Sequence, residues 1–451
     1  MIKAVGEREI VLGILLELEQ EGAHSHIVLR AALEKYQYLD KRERAFITRV
    51  VEGTLERMIE IDYILDQFSK VKANKMKPVI RWLMRSAVYQ LKYMDHVPNS
   101  AVCNEAVKLA VKKGFSGLKA FVNGVLRNIT RNLENITYPE HKDTVKYFSV
   151  KYSMPTWIVK KWLEMYNQEQ VESILTDFLK VKPTVIRCNL NRTTKNKLKN
   201  RLKDEGIEVS DHPYLDYALR ISGYNYLQEL ESFRSGDFYI QDVSSMLVTE
   251  IANPIQGDYV IDVCAAPGGK ALHVAEKLNG SGLVEARDLT DYKVSLIVDN
   301  IKRAGFRNIK AVRQDATILD LDSVEKADVV IADLPCSGLG VLGKKTDLKY
   351  NITEEMQRSL VLLQRQILSV VQQYVKKGKT LIYSTCTLNE EENMGNVRWF
   401  LEEFPEFQLS PIVDLPGAAQ GCITLLPGIH ESDGFFIARF QKAMATSGNP
   451  S

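Results

Sequence analysis

At 451 residues, with 45% hydrophobic and 26% charged residues, the chain is ordinary for a soluble protein of two or three domains. No apolar run reaches the roughly 20 residues of a membrane span, and Glu7, Glu9, Glu17 and Glu19 break the first apolar stripe, which excludes a signal-peptide core there. The formal net charge of +2 hides an asymmetry: residues 1–69 carry 9 Lys/Arg against 13 Asp/Glu, residues 70–132 carry 13 against 2.

Residues 1–135 read as all helical, with apolar residues at helical spacing and breaks at Gly22, Asp40, Pro98 and Gly114. Asp40 is the expected N-cap of one helix, with Glu43 closing a capping box. Asn99 or Ser100 is expected to cap the helix after Pro98. The basic block at 70–132 is read as a phosphate-contacting surface. The stretch "NLENITYPEHKD" (Asn132 to Asp143) is expected to be a linker. Residues 136–234 then read as that linker and a small α+β module. Two short helices, a strand at "PTVIRCNLN", a helix at "TKNKLKNRLKDEG", and strands and turns over "IEVSDHPYLDYALRISG" compose it.

Over 235–443 strand and helix alternate. The strands are "YVIDVCA", "GLVEARDL", "IKAVRQDA", "ADVVIADLP", "KTLIYSTC" and "GFFIARF". Such alternation predicts a mainly parallel, Rossmann-like sheet with helices on both faces. The tail, 444–451, is expected to be disordered.

In an open α/β sheet, ligands bind beyond the carboxyl ends of the strands. "DVCAAPGGK" follows the first strand, and its small residues and glycines let a ligand approach the backbone. It is neither G-x-G-x-x-G nor a Walker A loop, so no dinucleotide or triphosphate is predicted. Asp288, Asp315 and Asp333 end the second, third and fourth strands, placed for ribose hydroxyls and an adenine amine. A nucleoside-bearing cofactor without phosphates points to S-adenosylmethionine.

The six cysteines form no C-x-x-C pair, so no metal site or disulfide framework is expected, and a cytoplasmic location with free thiols is. Cys336 and Cys386 follow neighbouring strands and are expected to face one pocket. Asn389 is expected to start a helix, with Glu392 closing its capping box, so Cys386 would lie at a helix N-terminus that favours a thiolate. The glutamates of "NEEEN" would oppose that effect if they point inward. A thiolate suits one reaction: C5 of a pyrimidine becomes nucleophilic enough to take a methyl group only after a thiolate adds at C6.

"VCAAPGGK", "DLPCSG", "YSTCTLNEEEN", "YIQDVSSML" and "LPGIHESDGFFIARF" together resemble the motif set of the bacterial 16S ribosomal RNA cytosine-5 methyltransferases of the Sun/Fmu (RsmB) family. "RSAVYQLKYMDHVPNSAVCNEAVKLAVKKG" is similar to the helical RNA-binding domain of NusB, which that family carries in front of its catalytic domain. The resemblance covers nearly the whole chain. It implies Cys386 as the nucleophile and Cys336 as the residue assisting release, with Asp333 and Lys270 also at the target base. Cys264, Ala265, Ala266, Pro267, Gly268, Gly269, Lys270, Asp288, Asp315 and Asp333 would line the cofactor site. A cytidine of 16S ribosomal RNA is the implied substrate; it is expected to be single-stranded or flipped, because a stacked base cannot present C6 to a thiol, and no membrane partner and a monomer are expected. One departure is Thr290, where a second acid is common after Asp288. Transfer RNA or another ribosomal cytidine is the rival substrate, and a non-catalytic NusB-like RNA-binding factor is the rival class.

Overall fold

The computed structural model describes residues 5–21, 25–36, 38–412, 418 and 420–444. The expected break at Gly22 and the expected disordered tail from 445 onward lie outside the described residues. The chain forms two compact units: residues 1–180 with 342–351, and residues 181–341 with 352–451.

The helical unit contains α1 (Glu7–Glu21), α2 (Ser25–Lys35), α3 (Lys41–Glu56), α4 (Met58–Phe68), α5 (Pro78–Tyr93), α6 (Asn99–Lys112) and α7 (Lys119–Arg131) about one core. The central helix is α5, buried nearly all round, with Ile80, Leu83, Met84, Ala87, Val88 and Leu91 inside. Two of its polar side chains are matched, Arg85 donating to both oxygens of Asp62 at 2.7 Å and Gln90 accepting from Arg8 at 2.8 Å, while the buried Tyr89 hydroxyl has no hydrogen-bond partner among the described residues.

The Asp40–Glu43 capping box forms as expected. Asn99 and Ser100 do not cap α6, because Pro98 takes the N-cap position and Asn99 is already the first helical residue. Nor is the stretch after α7 a free linker. The Tyr138 hydroxyl bonds to Glu60 and Lys92, and Asp143 caps α8 (Thr144–Lys151). α8, α9 (Thr156–Met165) and α10 (Gln168–Phe178) pack in the helical unit, whose compact limit lies at residue 180.

Residues 342–351 return to this unit. Lys349 Nζ donates to the carbonyls of Glu56 and Ser153 at 2.8 and 2.7 Å, capping the C-terminal end of α3. Asp347 accepts from the Ser25 amide and hydroxyl at 3.1 and 2.7 Å. Burial, only partly offset by Glu56, pushes the Lys349 ammonium down to about 7.

Much of the charge asymmetry cancels inside the bundle. Lys72, Arg81, Arg85, Lys92, Lys112 and Lys113 pair with acids of residues 1–69. Lys119, Arg127 and Arg131 form no ion pair among the described residues, and they line a groove between α6 and α7.

The second unit holds two sheets. β1 (Thr184–Cys188), β2 (Glu208–Asp211), β3 (Ala218–Ser222) and β4 (Phe238–Ile240) form an antiparallel sheet in the order β2-β3-β1-β4, with α11 (Lys195–Asp204) beside it. The large sheet comprises β5 (Tyr259–Asp262), β6 (Leu283–Asp288), β7 (Ile309–Arg313), β8 (Ala327–Asp333), β9 (Val375–Thr385), β10 (Phe407–Leu409), β11 (Cys422–Leu425) and β12 (Phe435–Lys442). Its order is β10-β12-β9-β8-β5-β6-β7, with β11 also on β12. β5 to β9 run parallel; β10, β11 and β12 are antiparallel. All six expected strands are present, although β9 starts earlier, at Val375. β10 and β11 are short edge pieces that the sequence pattern did not reveal. Further helices of this unit are α12 (Val243–Ala252), α13 (Gly269–Lys277), α14 (Asp291–Ala304), α15 (Glu354–Val371) and α16 (Met394–Glu403).

The strand order reverses between β5 and β8, which is where an open α/β sheet opens a crevice. β8 pairs with β9 up to Asp333 opposite Ser384, so the chain leaves both strands at one edge.

Candidate active site

The loop after β5 is fixed by its backbone: the Val263 amide donates to Ile331 O at 3.0 Å and the Ala265 amide to Arg287 O at 2.8 Å. Gly268, with φ 106°, precedes α13, a conformation that costs any other residue dearly. Asp262 ends β5. It is buried, neither carboxylate oxygen is hydrogen-bonded among the described residues, and burial pushes its carboxyl up to about 7, against the pull of Lys270.

The three expected acids stand at this edge. Asp288 is 3% exposed and accepts from the amides of Ala266 (2.9 Å) and Leu289 (2.8 Å) and from Lys293 (3.1 Å). Asp315 accepts from the Thr317 hydroxyl at 2.7 Å and amide at 2.9 Å, contacts that lower its carboxyl. Asp333 accepts from Lys270 Nζ at 2.6 Å and from the Ser384 hydroxyl at 2.8 Å. Burial works against the Lys270 ammonium, but Asp333, Asp262 and Cys386 outweigh it and hold the lysine protonated. The Cys264 thiol is pushed up by burial, as in a packing residue.

Cys336 and Cys386 meet: their sulfurs are 3.3 Å apart, and the Cys386 amide donates to Cys336 Sγ at 3.3 Å. Both are free thiols. The helix-terminus argument for Cys386 fails. α16 begins at Met394, and Asn389 caps only a turn, through the Glu391 amide at 3.2 Å. The chain uses residues 387–393 to carry Glu392 inward. The Glu392 side chain is fully buried and accepts from the Ser337 amide and hydroxyl, from Gln364 (3.0 Å) and from Asn389 (3.0 Å). The positive partner of Cys386 is Lys270, whose own protonation is favoured by an anion at that sulfur.

A second tie runs through glycines. The Gly340 amide donates to Cys386 O at 3.0 Å, and the Gly434 amide to Gly340 O at 2.8 Å. A Cβ on Gly340 would fall inside the contact radius of Gly434 O.

The sequence shows what this geometry belongs to. Residues 249–441 match the model of the 16S rRNA methyltransferases RsmB/F, residues 6–131 that of the NusB family, and residues 154–227 that of the ferredoxin-like domain of RsmF/B-like methyltransferases. The probable ribosomal RNA small subunit methyltransferase B of Bacillus subtilis is 34% identical over 98% of this chain and 100% of its own length. The chain belongs to the ribosomal RNA small subunit methyltransferase B (RsmB) family. The corresponding probable enzyme of Synechocystis is 30% identical over 97% of the chain and all of its own length. Among solved structures, PH0851 superposes with a TM-score of 0.80 at 25% identity, covering 98% of this chain and 99% of that one. The RsmB resemblance and the fused NusB-like domain expected from the motifs are thus established.

RsmB-family enzymes take their methyl group from S-adenosylmethionine, and the residues present fit it. Asp262 is a buried carboxyl at the head of the loop that can meet hydroxyl or N–H donors, and the acids at the strand ends suit hydroxyls and amines rather than phosphates. Two participants escaped the sequence reading. Asp262 opens the loop motif but was not counted in the site; a lone acid ending a buried strand was the signal. Glu392 sits at capping-box spacing from Asn389, and that local pattern concealed its long-range partner, Ser337.

Proposed function

We propose that the protein methylates C5 of a cytidine in 16S ribosomal RNA through a covalent Cys386–C6 adduct. The observation that carries this is the sulfur contact of 3.3 Å between Cys386 and Cys336, beside the Lys270–Asp333 pair. Cys386 as thiolate adds to C6 of the cytosine, which places an electron pair at C5. When bound, S-adenosylmethionine supplies the electrophilic sulfonium methyl. A base then takes the C5 proton, and the electron pair left behind re-forms the C5–C6 double bond as the S–C6 bond breaks and Cys386 leaves as thiolate. Lys270 stabilises that anion before and after, and the Cys336 thiol donates its S–H to the departing sulfur, assisting release. Lys270 and Asp333 face the base.

The loop from Cys264 to Lys270, with Asp262, Asp288, Asp315 and Asp333, holds the cofactor. Asp288 has one lone pair left for a ribose hydroxyl once its loop contacts are counted. The α6–α7 groove with Lys119, Arg127 and Arg131 takes RNA phosphates, while the distal pocket reads a single-stranded or flipped base. The protein acts as a cytoplasmic monomer.

The test is labelled methyl transfer from S-adenosylmethionine to protein-free 16S RNA, with nucleoside analysis. Label in 5-methylcytidine that disappears in Cys386→Ala is expected. Cys336→Ala is expected to trap protein on RNA. Transfer that survives Cys386→Ala makes Cys336 the nucleophile. Unlabelled 16S RNA with labelled transfer RNA shifts the substrate.

A further inference from the structure

We propose that Glu392 is the positioning residue that sets the division of labour between the two cysteines, clamping the Cys336 loop to the Cys386 turn and keeping the shared proton on Cys336. The inference rests on the two-cysteine reading above.

The geometry is specific. Glu392 lies six residues beyond Cys386, in the turn before α16, yet both of its oxygens reach the residue after Cys336. The Ser337 amide donates to Oε2 at 2.9 Å, and the Ser337 hydroxyl to Oε1. Gln364 on α15 spans the same two pieces, donating to Pro335 O at 2.8 Å and to Glu392 Oε2 at 3.0 Å. Asn389 Nδ2 donates to Glu392 Oε1 at 3.0 Å, and Ser337 Oγ also lies 2.7 Å from Thr387 Oγ1. Tyr383 and Asn396 close the network beneath. Four donors therefore converge on one fully buried carboxylate, an arrangement a neutral amide cannot reproduce, because its NH2 would face another donor.

The charges around the sulfurs are asymmetric. Cys336 faces Glu392 and Cys386, with Tyr383 below; the Gly338 amide and the Cys386 amide, which donates to Cys336 Sγ at 3.3 Å, act in the opposite sense. The Cys386 contact, burial and the Glu392 charge all push the Cys336 thiol well up. Lys270, itself paired with Asp333, is the cation that interacts electrostatically with Cys386. Negative charge is thus repelled from Cys336 and drawn to Cys386, and the sulfur contact of 3.3 Å lets the Cys336 S–H donate to the nucleophile.

The experiment reads Cys336 alone, in full-length Cys386→Ala protein, by the pH dependence of iodoacetamide labelling of the Cys336 peptide. Labelling forms a carbon–sulfur bond from the thiolate and releases iodide, so its midpoint reports the thiol. Adding Glu392→Gln is expected to lower that midpoint by about one pH unit, or roughly tenfold faster labelling at neutral pH. Glu392→Asp, which keeps the charge but withdraws it by one methylene, is expected to fall between. Coincident midpoints, or a shift upward, overturn the proposal. If Glu392→Gln unfolds the protein, an Asp midpoint equal to the parent's does so by itself. The measurement needs neither RNA nor methyl transfer, so its failure is separate from failure of the reading above.

Discussion

Gly340→Ala is a small change with a large expected consequence. The new methyl would overlap Gly434 O and lie 2.9 Å from Cys386 O. Neither atom belongs to a side chain that can swing away, so the backbone itself must shift. Overpacking of this kind costs about 1–3 kcal/mol. Losing the Gly340–Cys386 and Gly434–Gly340 backbone bonds adds about 1 kcal/mol each. A loss of about 3–5 kcal/mol lowers the melting temperature of the sheet unit by about 10 °C. The functional effect is larger than the stability effect, because the displaced carbonyl belongs to Cys386. A reacting group misplaced by about 1 Å costs about 100-fold in rate. The assay is single-turnover methyl transfer at saturating cofactor, below the melting transition, beside cofactor binding by calorimetry. Rate is expected to collapse while cofactor affinity holds. A variant with the wild-type rate and unchanged melting would refute the claim that Gly340 braces the nucleophile.

Replacing Lys270 with Met removes the cation beside Cys386; methyl transfer is expected to fall at least about tenfold, and iodoacetamide labelling of Cys386 at neutral pH to slow. Changing Lys119, Arg127 and Arg131 together to Gln is expected to reduce the slope of log K for RNA against log salt by about 2–3, with kcat on saturating RNA retained, as filter binding over a salt series will show. Lys349 titrates low in the folded helical unit, near 7, against an ordinary 10.5, so the unfolded chain binds more protons between those values. Stability of that unit is therefore expected to rise with pH across that window, and Lys349→Met to flatten the rise in denaturant titrations.

The sheet was legible because its parallel strands are buried on both faces and so read as apolar runs; β8 is buried from Ala327 to Ala332. The adjacency of Cys336 and Cys386 followed from the expected strand order. What stayed hidden was non-local. Glu392 obeyed a capping rule in sequence and answered a distant amide in space. β10 and β11 lack the length for a pattern, and nothing in the composition of α8 to α10 names the helical surface they pack on. The basic block was legible as charge, but not the pairing with acids of residues 1–69 that leaves Lys119, Arg127 and Arg131 available.

The ten residues 342–351 give the polypeptide the character of a woven strap rather than beads on a string. Having left the helical unit at residue 180, the chain comes back to it just six residues beyond Cys336, then departs again. A scissor cut at 180/181 would therefore yield two mutilated pieces. The first would lack the ammonium that caps the Glu56 and Ser153 carbonyls, and the second would carry an orphaned lysine and tyrosine on a dangling stitch. Domain grafting, or swapping the helical module between relatives, has to move that stitch as well. For the same reason, a failure of the isolated catalytic fragment would speak of torn fabric before it spoke of lost RNA affinity.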